Sequence, residues 1–518
     1  EPRVVGGTEL RLYERGPYGT QPIALALDKG EKRLYVALAG INAIAVLDAS
    51  DPRKLHRVGL IPTGWFPAAL ALSRDGHMLY VVNTKGLNHD PGFIGDNPTA
   101  RDAKGNVLQV AADSSAVWST LERIDLRSVD LRTTTAHALS YQRALRPPRH
   151  DTIVPASFAG TRSKVIKHVV FILEENKTYD AMLGDLTNTA GDAYGPGDPA
   201  LIAFDQSVTP NLHALARTFA LAGNYFADAD ASGPAHQFVT AGVASAYTVK
   251  FSLSREERRP STGDHQDPED YPRAGYIFNA LALRDRSYRD YGDLVRVWGY
   301  DQGEARDARS DDPNSADPND RSAPTQGLGG LYAYDVPAPA VLAGHLDLNY
   351  PGWNPRIRDA RRAEEFIRDF DAQLKTGGMP EFTHIWLPGD RGVTGKGLPS
   401  ISEQVADGDR ALGAIVEYLS HLPQWSSTAI FITPDDSQSS RDHINVHRSY
   451  AVVVSPYAKR RFVGMRHVST VSILKTEEEI LGLPPLSLDD ALATDFSDFF
   501  TSHADRTPFE RSDAARLP

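Results

Sequence analysis

The chain has no cysteine among its 518 residues. Disulfides, thiolate metal sites, iron–sulfur clusters and a cysteine nucleophile are excluded at once. The redox compartment stays open, because a cysteine-free chain is at home in either environment. Long apolar runs are also missing. The longest, such as residues 169–173 and 451–454, fall far short of the roughly 18–20 residues a membrane span needs. An excess of positive charge is absent too: 55 Lys and Arg face 67 Asp and Glu, a net charge of −12. That argues against nucleic-acid or anionic-membrane binding by bulk electrostatics, leaving only a local basic patch. Neither a signal-peptide pattern nor a starting Met stands at Glu1, so the expected reading is a processed or truncated form. What is present is ordinary for a globular protein: 41% apolar and 24% charged residues, too apolar for a disordered chain. The length predicts about three domains, or one large and one smaller.

An internal repeat comes first. Residues 22–27 (PIALAL) recur as 67–72 (PAALAL), and Leu34-Tyr35-Val36 recurs as Leu79-Tyr80-Val81, both at an offset of 45 residues. Each copy reads as strand, polar turn, strand. Short strands at this period are the signature of propeller blades. The copies resemble the YVTN type of repeat, with Tyr80-Val81-Val82-Asn83 in the signature position. A third partial blade is expected at residues 116–125. Such a count does not close a ring of typically 4–8 blades. The missing blades would come from the same precursor or from another chain, or be absent. The alternative is a plain β-sheet subdomain packed on the rest of the chain.

Residues 87–115 and 126–163 read as loop and linker. From residue 166 the pattern changes. Buried strands are predicted at 169–173, 382–387, 428–433 and 450–455, and helices at 210–222 and 402–422. Such alternation implies an α/β fold with a mostly parallel sheet. Residues 250–345, rich in Arg, Asp, Pro and Ser, read as an insertion. The predicted division is therefore 1–140, all-β, and 141–518, α/β.

In open α/β sheets, ligands collect beyond the carboxyl ends of the strands. Glu174-Glu175-Asn176 follows the first predicted strand, Asp390-Arg391 the second and Asp435-Asp436 the third. Asp442, His443 and His447 precede the fourth. Adjacent carboxylates repel unless something positive neutralises them. A divalent cation is the economical explanation, and carboxylate, amide and imidazole ligands suit Mg, Mn, Ca or Zn. A hydroxyl candidate, Ser232, lies in a Ser232-Gly233-Pro234 turn leading into a helix near His236. It is either an N-cap or a nucleophile at a helix N-terminus, where anions are favoured. Thr178 and Thr240 are competing hydroxyls.

These blocks carry a resemblance. Residues 169–184 (VVFILEENKTYDAMLG), 224–236 (NYFADADASGPAH), 435–448 (DDSQSSRDHINVHR) and 469–491 resemble the bacterial phosphoesterase family of phospholipases C and acid phosphatases. That family lies in the alkaline-phosphatase superfamily. The resemblance covers about residues 165–500, and it implies an alkaline-phosphatase-like sandwich behind a partial propeller. It also implies metal-dependent hydrolysis of phosphate esters through a phosphoseryl intermediate, in a periplasmic or secreted protein. Position by position it implies Ser232 as nucleophile and metal ligand, with Glu175, Asn176, Asp435, Asp436, His447 and Asp390 as further metal ligands. His236 and His443 would assist catalysis. Where a related subgroup has His after the Asp, this chain has Arg391, which would hold phosphate instead of a second metal. Two rivals remain: a phospholipase C-type diesterase and a non-catalytic binding module. For the diesterase, Tyr276, Phe278, Tyr288, Tyr291 and Trp298 form either an aromatic wall or core packing.

Overall fold

A computed structural model describes residues 3–13, 16–84, 119–142, 153–155, 161–229, 231–252, 271–297, 334–337, 340–347, 349–353, 357–392, 394, 398–437 and 441–512. The 45-residue repeat becomes two antiparallel meanders. The first is β1 (Pro22–Leu27), β2 (Arg33–Leu38), β3 (Ala43–Asp48) and β4 (His56–Pro62), paired in that order. The second is β5 (Pro67–Leu72), β6 (Met78–Asn83) and β7 (Thr120–Asp125). β7 corrects the reading of a third blade at 116–125. It pairs with β6 from Met78↔Asp125 to Asn83↔Thr120 and completes the second sheet. The stretch between β6 and β7 hides this in the sequence, because it moves the strand out of the repeat's period. Helix α1 (Leu131–Tyr141), capped by Asp130, follows β7. Tyr35, Ala37, Ile44, Val46 and Ile61 of the first sheet share one core with Leu79 and Val81 of the second.

The α/β part is built on one eight-stranded sheet. Its members are β8 (His168–Glu174), β9 (Ala220–Phe226), β10 (Tyr288–Tyr291), β13 (Phe382–Trp386), β14 (Thr428–Pro434), β15 (Arg448–Val454), β16 (Phe462–Gly464) and β17 (Val468–Ser469). Strands β11 (Val295–Val297) and β12 (Tyr334–Pro337) pair separately. The order is β10-β13-β8-β14-β15-β9-β16, with β17 also on β9. Only β15 runs antiparallel to its neighbours. The central strands carry near-continuous apolar runs because both faces are covered. Val169, Ile172, Ile385, Ile430 and Ile432 are fully buried, and each such side chain contributes about 1.5–3 kcal/mol.

The helices are α2 (Tyr179–Leu183), α3 (Pro210–Thr218), α4 (Ser232–Ala241), α5 (Ala246–Ser252), α6 (Ile277–Ala282), α7 (Asp359–Thr376), α8 (Ile401–His421), α9 (Thr470–Leu481) and α10 (Leu488–Leu492). The helix expected at 210–222 stops at Thr218, and β9 follows. The run Phe219-Ala220-Leu221-Ala222 is buried throughout, so its periodicity does not separate helix from strand. The supposed insertion supplies β10, an edge strand parallel to β13. Its residues 253–270 and 298–333 lie outside the described residues, and so does Trp298. Among the described residues no helix is long and apolar enough to cross a membrane.

Candidate active site

Three parallel strands end at one level. Leu173 of β8 pairs with Trp386 of β13 and Thr433 of β14, and Glu174 pairs with Pro434. The next residues of each strand therefore meet. The Asp435 amide donates to the Glu174 carbonyl and the Asn176 amide to Asp435 Oδ1, each at 3.0 Å. The Glu175 amide donates to Asp390 Oδ1 at 3.0 Å. Asn176 takes a left-handed conformation, φ 36°, which turns the chain sharply after β8.

Ser232 is the first residue of α4. Ala231 occupies the cap position, and no side chain caps the helix. This removes the N-cap reading of Ser232 and moves the helix start four residues ahead of His236. Instead, Ser232 Oγ donates toward Glu175 Oε2 (3.3 Å) and Asp436 Oδ2 (3.2 Å). It accepts from Asn176 Nδ2 (3.3 Å) and Arg391 Nη1 (3.1 Å). Asn176 Nδ2 also donates to Asp436 Oδ1 at 2.9 Å. The hydroxyl thus sits between two carboxylates and a guanidinium at the positive end of a ten-residue helix.

His236 lies one turn along α4. Its Nε2 is 3.7 Å from both Glu175 Oε1 and Asp435 Oδ2, and its ring meets Trp386 edge-on. Its Nδ1 is 2.7 Å from Asp293 Oδ1, whose other oxygen is 2.9 Å from His384 Nε2. Burial opposes charge on His236, yet Asp293, together with Glu175 and Asp435, raises its pKa well above the usual histidine range. Burial works against Asp293 as well, but the charge and hydrogen bonds of His236 outweigh it and hold that carboxyl low.

The carboxylates fit a cation. Glu175, His236 and Asp435 each offer a ligand atom, all within 4.8 Å of one another. Asp435 is fully buried, and its Oδ2 has no hydrogen-bond partner. Burial, then the charge of Glu175, pushes its pKa up to about 6. A buried carboxylate oxygen with no hydrogen bond, facing a second carboxylate and with only His236 at 3.7 Å on its other side, leaves room for a positive ion to offset the cost.

Of the residues the sequence points to, the structure brings together Glu175, Asn176, Ser232, His236, Asp390, Asp435 and Asp436. His443 and His447 stand apart. His443 Nδ1 is 2.6 Å from Asp180, which shares the buried Arg448 with Asp442. No hydrogen bond or ion pair joins His443 to Ser232 among the described residues. His447 Nδ1 faces Asn445 and its ring faces Trp65. Tyr276, Phe278, Tyr288 and Tyr291 are buried in the core, so they pack rather than wall a substrate.

Sequence reasoning missed Lys177, Asp293, His384 and Trp386. Lys177 Nζ is fully buried and bonds the carbonyls of Asn176 (3.1 Å) and Asp390 (2.5 Å). Burial lowers its pKa despite the surrounding acids. The acids therefore have cationic neighbours, which the reading of unpartnered carboxylates did not include. Asp293 sits two residues beyond the end of β10, so the strand-end rule would have found it had β10 been recognised.

One glycine fixes the turn that carries Asp390 and Arg391. A Cβ on Gly389 would lie 2.6 Å from Asp359 Oδ2. Asp359 is pinned by the buried Arg362 and cannot yield easily. Gly389→Ala is expected to cost about 1–3 kcal/mol, read as a lower Tm, and to reduce activity by shifting Arg391.

The site gathers a serine hydroxyl, a guanidinium and a cluster of buried acids at one edge of the sheet. The phosphoesterase family model matches residues 192–484; the chain belongs to the Phosphoesterase family, and it is a hydrolase of phosphoric ester bonds. Among curated proteins no significant match was found. The chain is similar to a solved protein of the alkaline phosphatase superfamily from Vibrio parahaemolyticus. Identity is 14%, the match covers 68% of this chain and 77% of that one, and the TM-score is 0.40. It is also similar to a lipoteichoic acid synthase from Listeria monocytogenes (12% identity, 69% and 82% covered, TM-score 0.38). A third similar structure is a phosphonate monoester hydrolase of Agrobacterium radiobacter (16% identity, 62% and 74% covered, TM-score 0.32).

Proposed function

We propose that the protein hydrolyses phosphate esters through Ser232, with a phosphoseryl intermediate and a bound divalent cation. The observation that carries this reading is the hydroxyl of Ser232, held between Glu175, Asp436, Asn176 and Arg391 at a helix N-terminus. Glu175, Asp435 and Asp436, with Asn176 and Ser232, are the groups that would hold the cation. Bound there, it would lower the hydroxyl pKa and neutralise phosphoryl charge.

Ser232 Oγ gives its proton to the hydrogen-bonded carboxylate of Glu175 or Asp436 and attacks phosphorus, as the P–O ester bond breaks and the ester oxygen leaves with a proton. Arg391, whose side chain is partly exposed, pairs with the phosphoryl oxygens as its hydrogen bond to Ser232 is given up. His236, oriented by its hydrogen bond to Asp293, stabilises the developing charge or supplies the leaving-group proton. Water then attacks the phosphoserine and releases phosphate. Phenyl phosphate turnover, with mass-spectrometric detection of phosphate on the Ser232 peptide after an acid quench, tests the scheme. Labelling on any other residue would refute it.

Asp293 acts through His236 as a positioning residue. Asp293→Asn is expected to lower kcat by about 10–100-fold with little change in KM. An equal loss through KM alone would count against it.

The same proposal takes residues 1–140 as blades of a YVTN-like propeller and 141–518 as an alkaline-phosphatase-like catalytic unit. The 45-residue match between the β1–β2 and β5–β6 hairpins supports the first. The sheet order around the strand-end acids supports the second. A periplasmic or secreted location rests on the resemblance, and fractionation of the source cell tests it.

A further inference from the structure

His384 is the middle residue of β13, and its side chain is fully buried. Phe171 of β8 and Phe278 of α6 pack against its ring, with centroids 5.3 and 6.2 Å away. A histidine in such surroundings is costly unless its polar atoms are used. Nε2 lies 2.9 Å from Asp293 Oδ2, while Nδ1 is buried with no hydrogen-bond partner. This settles the tautomer. With the proton on Nδ1, a buried donor would have nothing to receive it, and the Nε2 lone pair would face a carboxylate oxygen. The proton therefore belongs on Nε2, which donates to Asp293.

Asp293 is held from three sides. Its Oδ1 accepts from the Leu294 amide and from His236 Nδ1, each at 2.7 Å, and its Oδ2 accepts from His384. Leu294 brings its amide there in a left-handed conformation, φ 51°, which a residue other than glycine adopts only at a cost. Without His384, the carboxylate would keep donors on Oδ1 alone and could turn about its Cβ–Cγ bond. With it, both oxygens are fixed. The His236 ring is then held with Nδ1 toward Asp293 and Nε2 toward Glu175 and Asp435, 3.7 Å from each.

We propose that His384 is a positioning residue for the reaction at Ser232. Its Nε2–H fixes the Asp293 carboxylate, which fixes the proton on His236 Nδ1 and aims Nε2 at the acids of the site. His384 itself reaches the site only through Asp293. Its effect on rate presupposes the Ser232 reading; the orientation of His236 does not.

A double-mutant cycle on the full chain, with phenyl phosphate as substrate, tests this. His384→Leu is expected to lower kcat about ten-fold with little change in KM, as loss of a group behind a site residue does elsewhere. His384→Gln, whose amide can donate from the place of Nε2, should stay within about three-fold of the wild-type kcat. In the Asp293→Asn background, His384→Leu should cost no more than about two-fold further, because the two changes cut one path. His384→Phe takes its place in the cycle if the leucine variant does not fold. A merely structural role would lower kcat by the same factor in both backgrounds. That additivity, or an unchanged kcat in the single variant, would overturn the proposal. A second measurement does not depend on catalysis: proton–nitrogen NMR of the metal-free protein labelled at histidine. The His236 Nδ1 proton should give a resolved downfield signal in the wild type and in His384→Gln. In His384→Leu it should move upfield or be lost to exchange with water. If the wild-type protein turns over no phosphate ester, the Ser232 reading falls, and this signal alone decides the role of His384. An unchanged His236 signal in His384→Leu then overturns it.

Discussion

Ser232→Ala is expected to lower phosphate-ester turnover by at least about 1,000-fold, as removal of an activated nucleophile does elsewhere. Neither competing hydroxyl, Thr178 or Thr240, is placed to replace it. Thr178 Oγ1 donates to the Arg441 carbonyl at 2.5 Å and accepts from the Ala181 amide, capping α2. Thr240 Oγ1 donates to the His236 carbonyl at 2.6 Å, inside α4. Both are committed to local backbone. The fold should survive, because Ser232 is small and lies at the start of its helix. Its partners lose one hydrogen bond each, a cost of about 1 kcal/mol per bond, and Asp436 and Asn176 keep their bond to each other. Steady-state rates with phenyl phosphate, together with the thermal midpoint of the variant, check both parts. A variant that folds and keeps a tenth of the wild-type rate would exclude Ser232 as nucleophile.

The residues that meet at the site were legible for a physical reason. Parallel strands in register must end together, so acids following β8, β13 and β14 share one edge of the sheet. Buried apolar runs marked those strands plainly. The signal failed where burial and local pattern disagree. Phe219 to Ala222 is apolar at every position and joins a helix to β9. Tyr288 to Tyr291 reads as polar and aromatic, yet all four residues are buried at the sheet edge, with Arg289 paired to Asp369. Asp293 was lost with that strand. His443 and His447 lie close in sequence to Asp435 and Asp436. Arg448 draws Asp442 and Asp180, the partner of His443, into a separate buried network. β7 shows the converse case: a strand identified correctly, but assigned to the wrong sheet because an interposed stretch broke the repeat.

The acids at the site make metal binding a question of stability as well as rate. Asp435→Asn is expected to reduce activity by at least about 100-fold, since losing a cation ligand forfeits several kcal/mol of charge stabilisation. Its effect on the metal-free protein should have the opposite sign. Asp435 has its pKa pushed up to about 6 by burial and by Glu175, against about 3.9 for an ordinary aspartate. A carboxyl raised in the folded state favours folding fully below its unfolded pKa. That contribution is lost as pH rises through the folded value. Metal-free wild-type protein should therefore lose Tm as pH rises from about 4 through about 6, and a saturating divalent cation should restore it by ligand linkage. The amide introduced by Asp435→Asn carries no charge, so the metal-free variant should be the more stable of the two near neutral pH. With cation added the order should reverse, because the variant gains less from it. Elemental analysis and paired melting curves with and without chelator read both effects. A variant that retains full metal content, or that is no more stable than metal-free wild type near neutral pH, would remove Asp435 from the cation site.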